Sequence, residues 1–367
     1  MTGVYIHLPF CATHCAYCPF VISTNMTLED AYVEALLKEI DARLHEPIDT
    51  LYFGGGTPSR TKIEHLAEIA QRCHPSTVFA ARDDTWSGEF TLEANPEDIT
   101  RESIAAWRDI GVNRLSIGVQ SFNDDELREI GRIHDAARAR EAVKLAVDSG
   151  MRTNLDLILG LPHQSIESFR KSLDEAIALG IGHLSLYMLD LDEKTPLQVQ
   201  VARGRTTLPE EEQVAQLYLE AVARLSEAGL QQYEISNFAR PGEESQHNLR
   251  YWRRESYLGF GIGAHSFIDE RRFANTRDIH RYIGDPAHAE DFSETLSDDE
   301  RRHELLFLQL RQTRGIHYDD LVRLCGQEAV EWMERGLREG WLRRVDSRIG
   351  FTPAGFLLSN DYISQLF

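Results

Sequence analysis

The stretch Cys11-Ala-Thr-His-Cys15-Ala-Tyr-Cys18 gathers three of the chain's five cysteines into a C-x3-C-x2-C pattern. It directly follows Val4-Tyr-Ile-His-Leu-Pro-Phe10, an apolar run that predicts a β-strand. Three thiolates at this spacing can surround one face of an iron–sulfur cubane, which normally takes four protein ligands. With only three, one iron of a [4Fe–4S] cluster would keep an open position for a small molecule.

A zinc site is the alternative for these cysteines, because zinc also takes three or four Cys and His ligands. His14 lies within the stretch and could be the fourth ligand. However, zinc ribbons usually pair two C-x2-C units, and the remaining cysteines, Cys73 and Cys325, are isolated. The motif therefore favours an iron–sulfur cluster over zinc.

Composition limits the classes of function. The chain has 367 residues, 42% of them hydrophobic, and a net charge of −20. This balance argues against a general nucleic-acid binder, which needs a basic face. No apolar run approaches the ~20 residues of a membrane span, and the N-terminus lacks the regions of a signal peptide. Closely spaced reduced cysteines favour a cytoplasmic location.

Strand-like and helix-like stretches alternate, which predicts an α/β fold with parallel strands joined by helices. The strand-like runs cover residues 4–10, 50–55, 89–95, 114–120, 153–160, 183–190 and 231–236. Six or seven such units predict a partial (β/α)6-type barrel over residues 1–236. In such a barrel, functional residues gather at the carboxyl ends of the strands. A doubly wound open sheet is the alternative, but it would not place polar residues at so many consecutive strand ends.

Polar residues and glycines do follow these strands, at Gly54-Gly-Gly-Thr-Pro58, Glu93, Gln120 and Asp156. Glycines allow a ligand to approach the backbone closely. A carboxylate within an apolar strand is costly to bury unless it is paired. A cofactor with an ammonium group and ribose hydroxyls would pair Glu93 and Asp156. An internal ion pair with Arg114 or Arg132 is the alternative.

Several motifs occur in a familiar order: Tyr5-Ile-His-Leu-Pro-Phe-Cys11, Gly54-Gly-Gly-Thr-Pro58, Gly118-Val-Gln-Ser-Phe122, Gly131-Arg-Ile-His134 and Asp156-Leu-Ile-Leu-Gly-Leu-Pro162. They resemble the radical S-adenosylmethionine (SAM) proteins, in the branch of oxygen-independent coproporphyrinogen III dehydrogenase (HemN) and the heme chaperone HemW. The resemblance covers nearly the whole chain. It implies a cluster on Cys11, Cys15 and Cys18, with SAM on the fourth iron. The SAM contacts that it implies are Tyr5, Tyr17, Gly55, Gly56, Thr57, Glu93, Gln120, Arg132 and Asp156.

Two features resemble the HemW group more than the dehydrogenase. The dehydrogenase pattern has a fourth cysteine where this chain has Phe20, and His247-Asn-Leu-Arg-Tyr-Trp252 resembles the HNxxYW motif of the HemW group. The resemblance thus implies a heme chaperone that transfers heme to an acceptor protein. The alternative is a radical SAM enzyme of porphyrin biosynthesis that acts on a porphyrin or porphyrinogen, such as the dehydrogenase. Further partners considered are an electron donor, if radical chemistry occurs, and a second copy of the chain.

The HNxxYW segment contains groups that suit a porphyrin. The imidazole of His247 could ligate heme iron, and Tyr251 and Trp252 offer flat rings for stacking. The structural alternative is that His247 and Asn248 cap a turn while the two rings pack between domains. The resemblance favours heme. His265, which lies in a glycine-flanked loop, is a second candidate for the iron ligand.

Composition changes near residue 281, where an acidic and polar stretch begins. We expect residues 237–285 to form a connecting segment that contains the HNxxYW motif. Helical patterns and a predicted β-wing then indicate a small, mainly helical, winged-helix-like domain over residues 286–367.

Overall fold

The computed structural model describes residues 1–73, 88–191 and 195–367. Six strands and six helices alternate over the first half of the chain. The strands are β1 (Thr2–Leu8), β2 (Ile48–Gly55), β3 (Glu89–Ala94), β4 (Arg114–Gln120), β5 (Arg152–Leu159) and β6 (His183–Met188). The helices are α1 (Glu29–Arg43), α2 (Ile63–Cys73), α3 (Arg101–Asp109), α4 (Asp124–Glu129), α5 (Ala136–Asp148) and α6 (Ile166–Ala178).

The second half has shorter strands. These are β7 (Gln231–Gln232), β8 (Asn237–Ala239), β9 (Tyr257–Phe260), β10 (His265–Ile268), β11 (Arg271–Asn275), β12 (Glu290–Thr295), β13 (Ile316–His317), β14 (Leu342–Val345) and β15 (Arg348–Phe351). Its helices are α7 (Pro196–Ala202), α8 (Glu211–Glu227), α9 (Gln246–Trp252), α10 (Ile279–Gly284), α11 (Asp298–Leu310), α12 (Tyr318–Cys325), α13 (Glu328–Arg338), α14 (Pro353–Phe356) and α15 (Ser359–Ile363).

Twelve strands form one sheet in the order β12-β11-β10-β9-β1-β2-β3-β4-β5-β6-β8-β7. Strands β1 to β6 are parallel and lie in chain order, so the sheet lacks the reversal of order that defines a doubly wound fold. Among the described residues no pairing joins the two ends of the sheet, so the barrel is open. The predicted partial (β/α)6 barrel is confirmed.

The seventh predicted unit, 231–236, differs from the prediction. It forms the hairpin β7–β8, and β8 pairs antiparallel with β6. The physical reason is the connection: four residues can join antiparallel strands, whereas a parallel crossover needs a dozen or more.

The sheet also continues past the predicted connecting segment. Strand β9 pairs parallel with β1, and β10 to β12 follow antiparallel on that side. Because the sheet crosses both 236 and 285, the domain boundaries at these positions stay predictions. The C-terminal part is mainly helical and carries the small antiparallel sheet β13-β15-β14, in agreement with a helical module with a β-wing. No helix in the described part of the chain combines the length and apolar character that crossing a membrane requires.

A buried ion pair holds the sheet to the segment before α9. Arg114 in β4 is 1% exposed, and its Nε donates to Glu89 Oε2 in β3 over 2.8 Å. Its Nη2 donates to the carbonyls of Glu243 and Glu244 at 2.9 and 3.2 Å. Glu89 Oε1 also accepts the backbone N–H of His247 at 3.0 Å. The pair therefore fixes the position of the HNxxYW helix against β3 and β4.

Replacing Arg114 by alanine should lower the free energy of unfolding by about 3 to 5 kcal/mol, because Glu89 is then buried without its cation. Chemical denaturation followed by circular dichroism measures this change. The matched control is Arg128→Ala, which removes an ion pair with Asp125 whose side chains are 71% and 84% exposed. Such surface pairs contribute about 0 to 1 kcal/mol. Equal losses in the two variants would contradict the role of Arg114.

Candidate functional site

The carboxyl ends of the parallel strands surround a cavity of about 410 Å³. All three cysteines of the motif and eight of the nine residues predicted to contact SAM line it. These are Cys11, Cys15, Cys18, Tyr17, Gly55, Gly56, Thr57, Glu93, Gln120, Arg132 and Asp156. Tyr5 is the exception, because it lines a neighbouring cavity. The fold therefore brings together residues that lie up to 145 positions apart in the sequence.

Backbone hydrogen bonds anchor the cysteine loop at both ends. The N–H of Cys11 donates to the carbonyl of Ser23 at 3.0 Å, and that of Ala16 donates to Ile130 at 3.0 Å. Two side chains donate hydrogen bonds to the cysteine sulfurs. The first is Thr57, whose Oγ1 lies 3.3 Å from Cys11 Sγ. The second is Arg132, whose Nη1 lies 3.6 Å from Cys15 Sγ. Donors to thiolate sulfurs are among the features that tune iron–sulfur clusters.

The thiols themselves fit a cluster. All three are free, and burial raises the pKa of Cys11 and raises that of Cys18 to about 11. The thiolates of Cys11 and Cys18 are therefore costly in the absence of a cation. In the described part of the chain, no three His, Cys, Asp or Glu side chains approach closely enough to hold a single metal ion. A single zinc ion on the three cysteines would therefore require the cysteine loop to move.

Gly56 holds the strand end of β2 against the cysteine loop. Its N–H donates to the carbonyl of Leu8 at 2.9 Å. A Cβ at this position would lie 2.5 Å from the backbone of Pro9 and 3.0 Å from Cys11 Sγ. No side chain fits there without moving the loop, so a glycine is required by packing.

Two carboxyl groups line the cavity with their charge poorly compensated. Glu93 accepts hydrogen bonds from Tyr52 Oη at 2.8 Å and from the N–H of Gly55 at 3.0 Å. Asp156 accepts hydrogen bonds from Asn154 Nδ2 at 2.8 Å and from Ser116 Oγ at 3.4 Å. Burial raises the pKa of Glu93 to about 7 and that of Asp156 to about 6. A positively charged ligand would favour the ionised form of both groups.

The internal ion pairs considered for these carboxylates are absent among the described residues. Arg114 pairs with Glu89, and Arg132 Nη2 donates to Asn95 Oδ1 and to the carbonyl of Gly118, both at 2.6 Å. The Nε of Arg132 is buried and has no hydrogen-bond partner in the described structure. The cavity therefore offers one buried donor without a partner and two carboxylates without a paired cation. A ligand that has both cationic and acceptor groups, as SAM does, would satisfy all three.

Strand β4 carries a local irregularity at the cavity. Gln120 has a φ of 70°, and the register with β5 shifts between Gly118 and Gln120. Strained residues of this kind concentrate at ligand sites. Ser116, Gly118 and Gln120 all line the cavity, since alternate residues of a strand share a face. Sequence reasoning missed Ser116, although the spacing of two from Gly118 could have revealed it.

The cavity's rim is apolar and exposed. Phe20, Ile133, Tyr187 and Met188 line it and are 64%, 54%, 43% and 38% exposed, respectively. Clustered exposed apolar side chains around a cavity are typical of an interaction site. Sequence reasoning singled out only Phe20 among these, because the rim is assembled from two separate loops and the end of β6.

The HNxxYW segment forms α9, outside this cavity. His247 is 1% exposed, its Nδ1 lies 2.9 Å from Thr50 Oγ1, and its Nε2 lies 2.8 Å from Tyr251 Oη. Iron ligation by His247 would therefore require one of these hydrogen bonds to break. The carbonyl of Trp252 accepts a hydrogen bond from Gln312 at 2.9 Å, which links α9 to the segment that follows α11. The heme contacts of this segment stay predictions.

Replacing Gly56 by alanine should displace the loop at Cys11 and lower iron and sulfide incorporation. The added Cβ meets backbone, which cannot yield cheaply, and we expect a loss of about 1 to 3 kcal/mol in stability. Iron and sulfide content after anaerobic reconstitution, with a denaturation curve, measures both effects. Gly284→Ala is the control, since a Cβ there meets nothing within 4 Å. Full incorporation in Gly56→Ala would show that the loop tolerates displacement.

Replacing Glu93 by glutamine should stabilise the cofactor-free protein at pH 8 but not at pH 5. The folded-state pKa of about 7 lies above the ordinary 4.5. The stabilising contribution of the carboxyl is therefore complete below pH 4.5 and is lost as the pH rises through 7. We expect a gain of about 2 kcal/mol at pH 8, at about 1.4 kcal/mol per pKa unit less the cost of an altered hydrogen bond. Denaturation at both pH values tests this, with exposed Glu64→Gln as control, and a pH-independent difference would contradict it.

Comparison with known proteins places these features in a family. The sequence profile of the Radical SAM superfamily matches residues 5–176. The heme chaperone HemW of Bacillus subtilis is 34% identical, over 98% of this chain and 98% of the relative. HemW of Escherichia coli is 36% identical, over 76% of this chain and 74% of the relative.

A solved structure supports the same assignment at the level of the fold. Coproporphyrinogen III oxidase (HemN) from Escherichia coli, a radical SAM enzyme, superposes with a TM-score of 0.83 and 24% sequence identity. The match covers 100% of this chain and 89% of that one. Since both HemW relatives exceed 30% identity over more than two thirds of this chain, this chain belongs to the HemW family of the radical SAM superfamily.

Proposed function

We propose that this protein is a heme chaperone, which binds heme and passes it to an acceptor protein. The observation that carries the proposal is its 34% identity with a heme chaperone over 98% of both chains. The proposal includes a [4Fe–4S] cluster on Cys11, Cys15 and Cys18 and a SAM molecule in the cavity at the strand ends. The acceptor, any electron donor and a homodimer stay predictions from the sequence.

The residues of the cavity have distinct parts in this proposal. Glu93 and Asp156 would accept hydrogen bonds from the ammonium group and the ribose hydroxyls of SAM. Arg132 would donate its buried Nε to an acceptor on the ligand, since its other nitrogens already hold Asn95 and the loop. Bound together, the cluster and SAM would supply one-electron chemistry at this cavity.

The side chain at position 20 supports a chaperone over the dehydrogenase. A fourth cysteine would stand here in the dehydrogenase pattern, whereas this chain has a phenylalanine that is 64% exposed at the rim. A phenyl ring cannot ligate metal. It offers instead a flat apolar surface, which suits contact with a macrocycle.

Heme binding and enzyme activity can be separated in one anaerobic experiment. The reconstituted protein is titrated with heme by absorption, and separately incubated with coproporphyrinogen III, SAM and a reductant. We expect stoichiometric heme binding and unchanged coproporphyrinogen. Absence of heme binding, together with divinyl product formed in step with SAM consumption, would favour the enzyme.

The cluster assignment has its own test. Serine at Cys11, Cys15 and Cys18 together should abolish iron and sulfide incorporation, because three ligands are lost at once. The control is Cys325→Ser, since Cys325 lies in α12, outside the cavity. A cluster that survives the triple substitution would show that other residues hold it.

A further inference from the structure

A second cavity, of about 570 Å³, lies beside the first, and none of the three motif cysteines lines it. The segment that follows Cys18 forms one wall, and strands β10 to β12 form another. Its volume falls within the range of small-molecule sites, about 300 to 1,000 Å³. Pro19 and Phe20 line both cavities, so a ligand in the second cavity would lie directly beside the cysteine loop.

The walls of this cavity are rich in aromatic rings. Tyr5, Tyr251, Tyr257 and Phe292 line it, and the rings of Tyr251 and Tyr257 meet edge to face with centroids 4.6 Å apart. Phe292 is 44% exposed, although it belongs to a strand. Exposed rings beside packed ones form an apolar slot, which suits a large planar ligand.

His265 supplies an iron ligand at the edge of this slot. It begins β10, pairs with Ala274 of β11, and is exposed. In the described part of the chain, no hydrogen bond or ion pair engages either nitrogen of its ring. Burial, followed by the charges of Arg277 and Arg272, lowers its pKa, and the neutral imidazole is the form that binds metals.

The other nearby histidines are already engaged. His7 also lines the cavity, but its Nε2 lies 2.8 Å from the carbonyl of Val21 and its Nδ1 lies 3.3 Å from Tyr5 Oη. Both nitrogens of His247 are hydrogen-bonded, and its ring does not line the cavity. Of the histidines around α9 and β10 in the described structure, only His265 has nitrogens free for iron.

The charges at the cavity suit a ligand with carboxylates. Arg277 is exposed and lines the cavity, and it has no ion pair or hydrogen bond among the described residues. The acidic group at the same rim, Asp291, is already bound to Arg281. Arg272 is likewise committed, to Glu294 and Glu304. A free guanidinium binds a carboxylate through charge-assisted hydrogen bonds.

We propose that the second cavity is the heme site, with His265 as the axial ligand to iron and Arg277 facing a propionate. The inference rests on the proposed function, that the chain binds heme, and it assigns the position and the ligand. It also gives Tyr251 of the HNxxYW segment a definite part: a wall of the heme site, with His247 holding that tyrosine in place.

The test is an absorption titration of the full-length protein with heme, in wild type, His265→Ala and Phe292→Asp. We expect His265→Ala to weaken binding roughly tenfold or more and to move the Soret band, and added free imidazole to restore the band. Phe292→Asp should weaken binding while the band stays at its wild-type position. Both side chains are exposed, so thermal denaturation should match wild type. His288→Ala is the control, because His288 is an 83% exposed imidazole outside the cavity.

Two results overturn the inference in different ways. Heme binding by wild type with the same affinity and spectrum in His265→Ala would exclude the assigned ligand and leave the chaperone proposal standing. Absence of heme binding by wild type would defeat the chaperone proposal, and this inference with it.

Discussion

The parallel pairing of β1 with β2 is the constraint on which the cluster site depends. Its register sets Leu8 opposite Gly55, and the next two residues, Gly56 and Thr57, donate their N–H groups to Leu8 and Phe10 at 2.9 Å. The cysteine loop therefore starts directly above the end of β2. Because parallel strands end at one edge, the same pairing aligns the ends of β3, β4 and β5 below the loop. The register of β1 with β2 thus positions both the cysteine thiols and the polar residues at the strand ends.

The polar groups at the carboxyl ends of the strands destabilise the cofactor-free fold and favour the binding of a ligand in the cavity. Glu93 and Asp156 have raised pKa values because burial penalises their charge, and Arg132 keeps one buried N–H without a partner among the described residues. Gln120 holds a positive φ. Each feature has a free-energy cost, which the rest of the fold offsets and which is typical of a functional site. The costs concentrate where the strands meet the cysteine loop, whereas Arg114 and Glu89 at the opposite strand ends are paired.

The grouping of the cysteines and the polar strand ends in one cavity could be predicted from the sequence, because its determinants are local. Cysteine spacing and the position of a residue at a strand end can be read within about ten residues. The second cavity depends instead on β9 pairing with β1, which sets Tyr5 opposite Gly259 across more than 250 residues. Tyr5, which the resemblance places at the SAM site, lines this second cavity, and its SAM contact stays a prediction. The hydrogen bonding of His247 could not be predicted from local sequence either, because its partner Thr50 is 197 positions away.

The HNxxYW segment shows how one motif can combine packing with recognition. His247 and Arg250 are buried: the histidine bridges Thr50 and Tyr251, and the arginine donates to the carbonyl of Ser256 at 3.0 Å just before β9. These contacts fix α9 against β2 and against the start of β9. A third side chain of the motif, Tyr251, reaches the second cavity. While both of these hydrogen bonds are kept, the ring of His247 has no free nitrogen for iron, and its contact with Tyr251 orients a wall of that cavity.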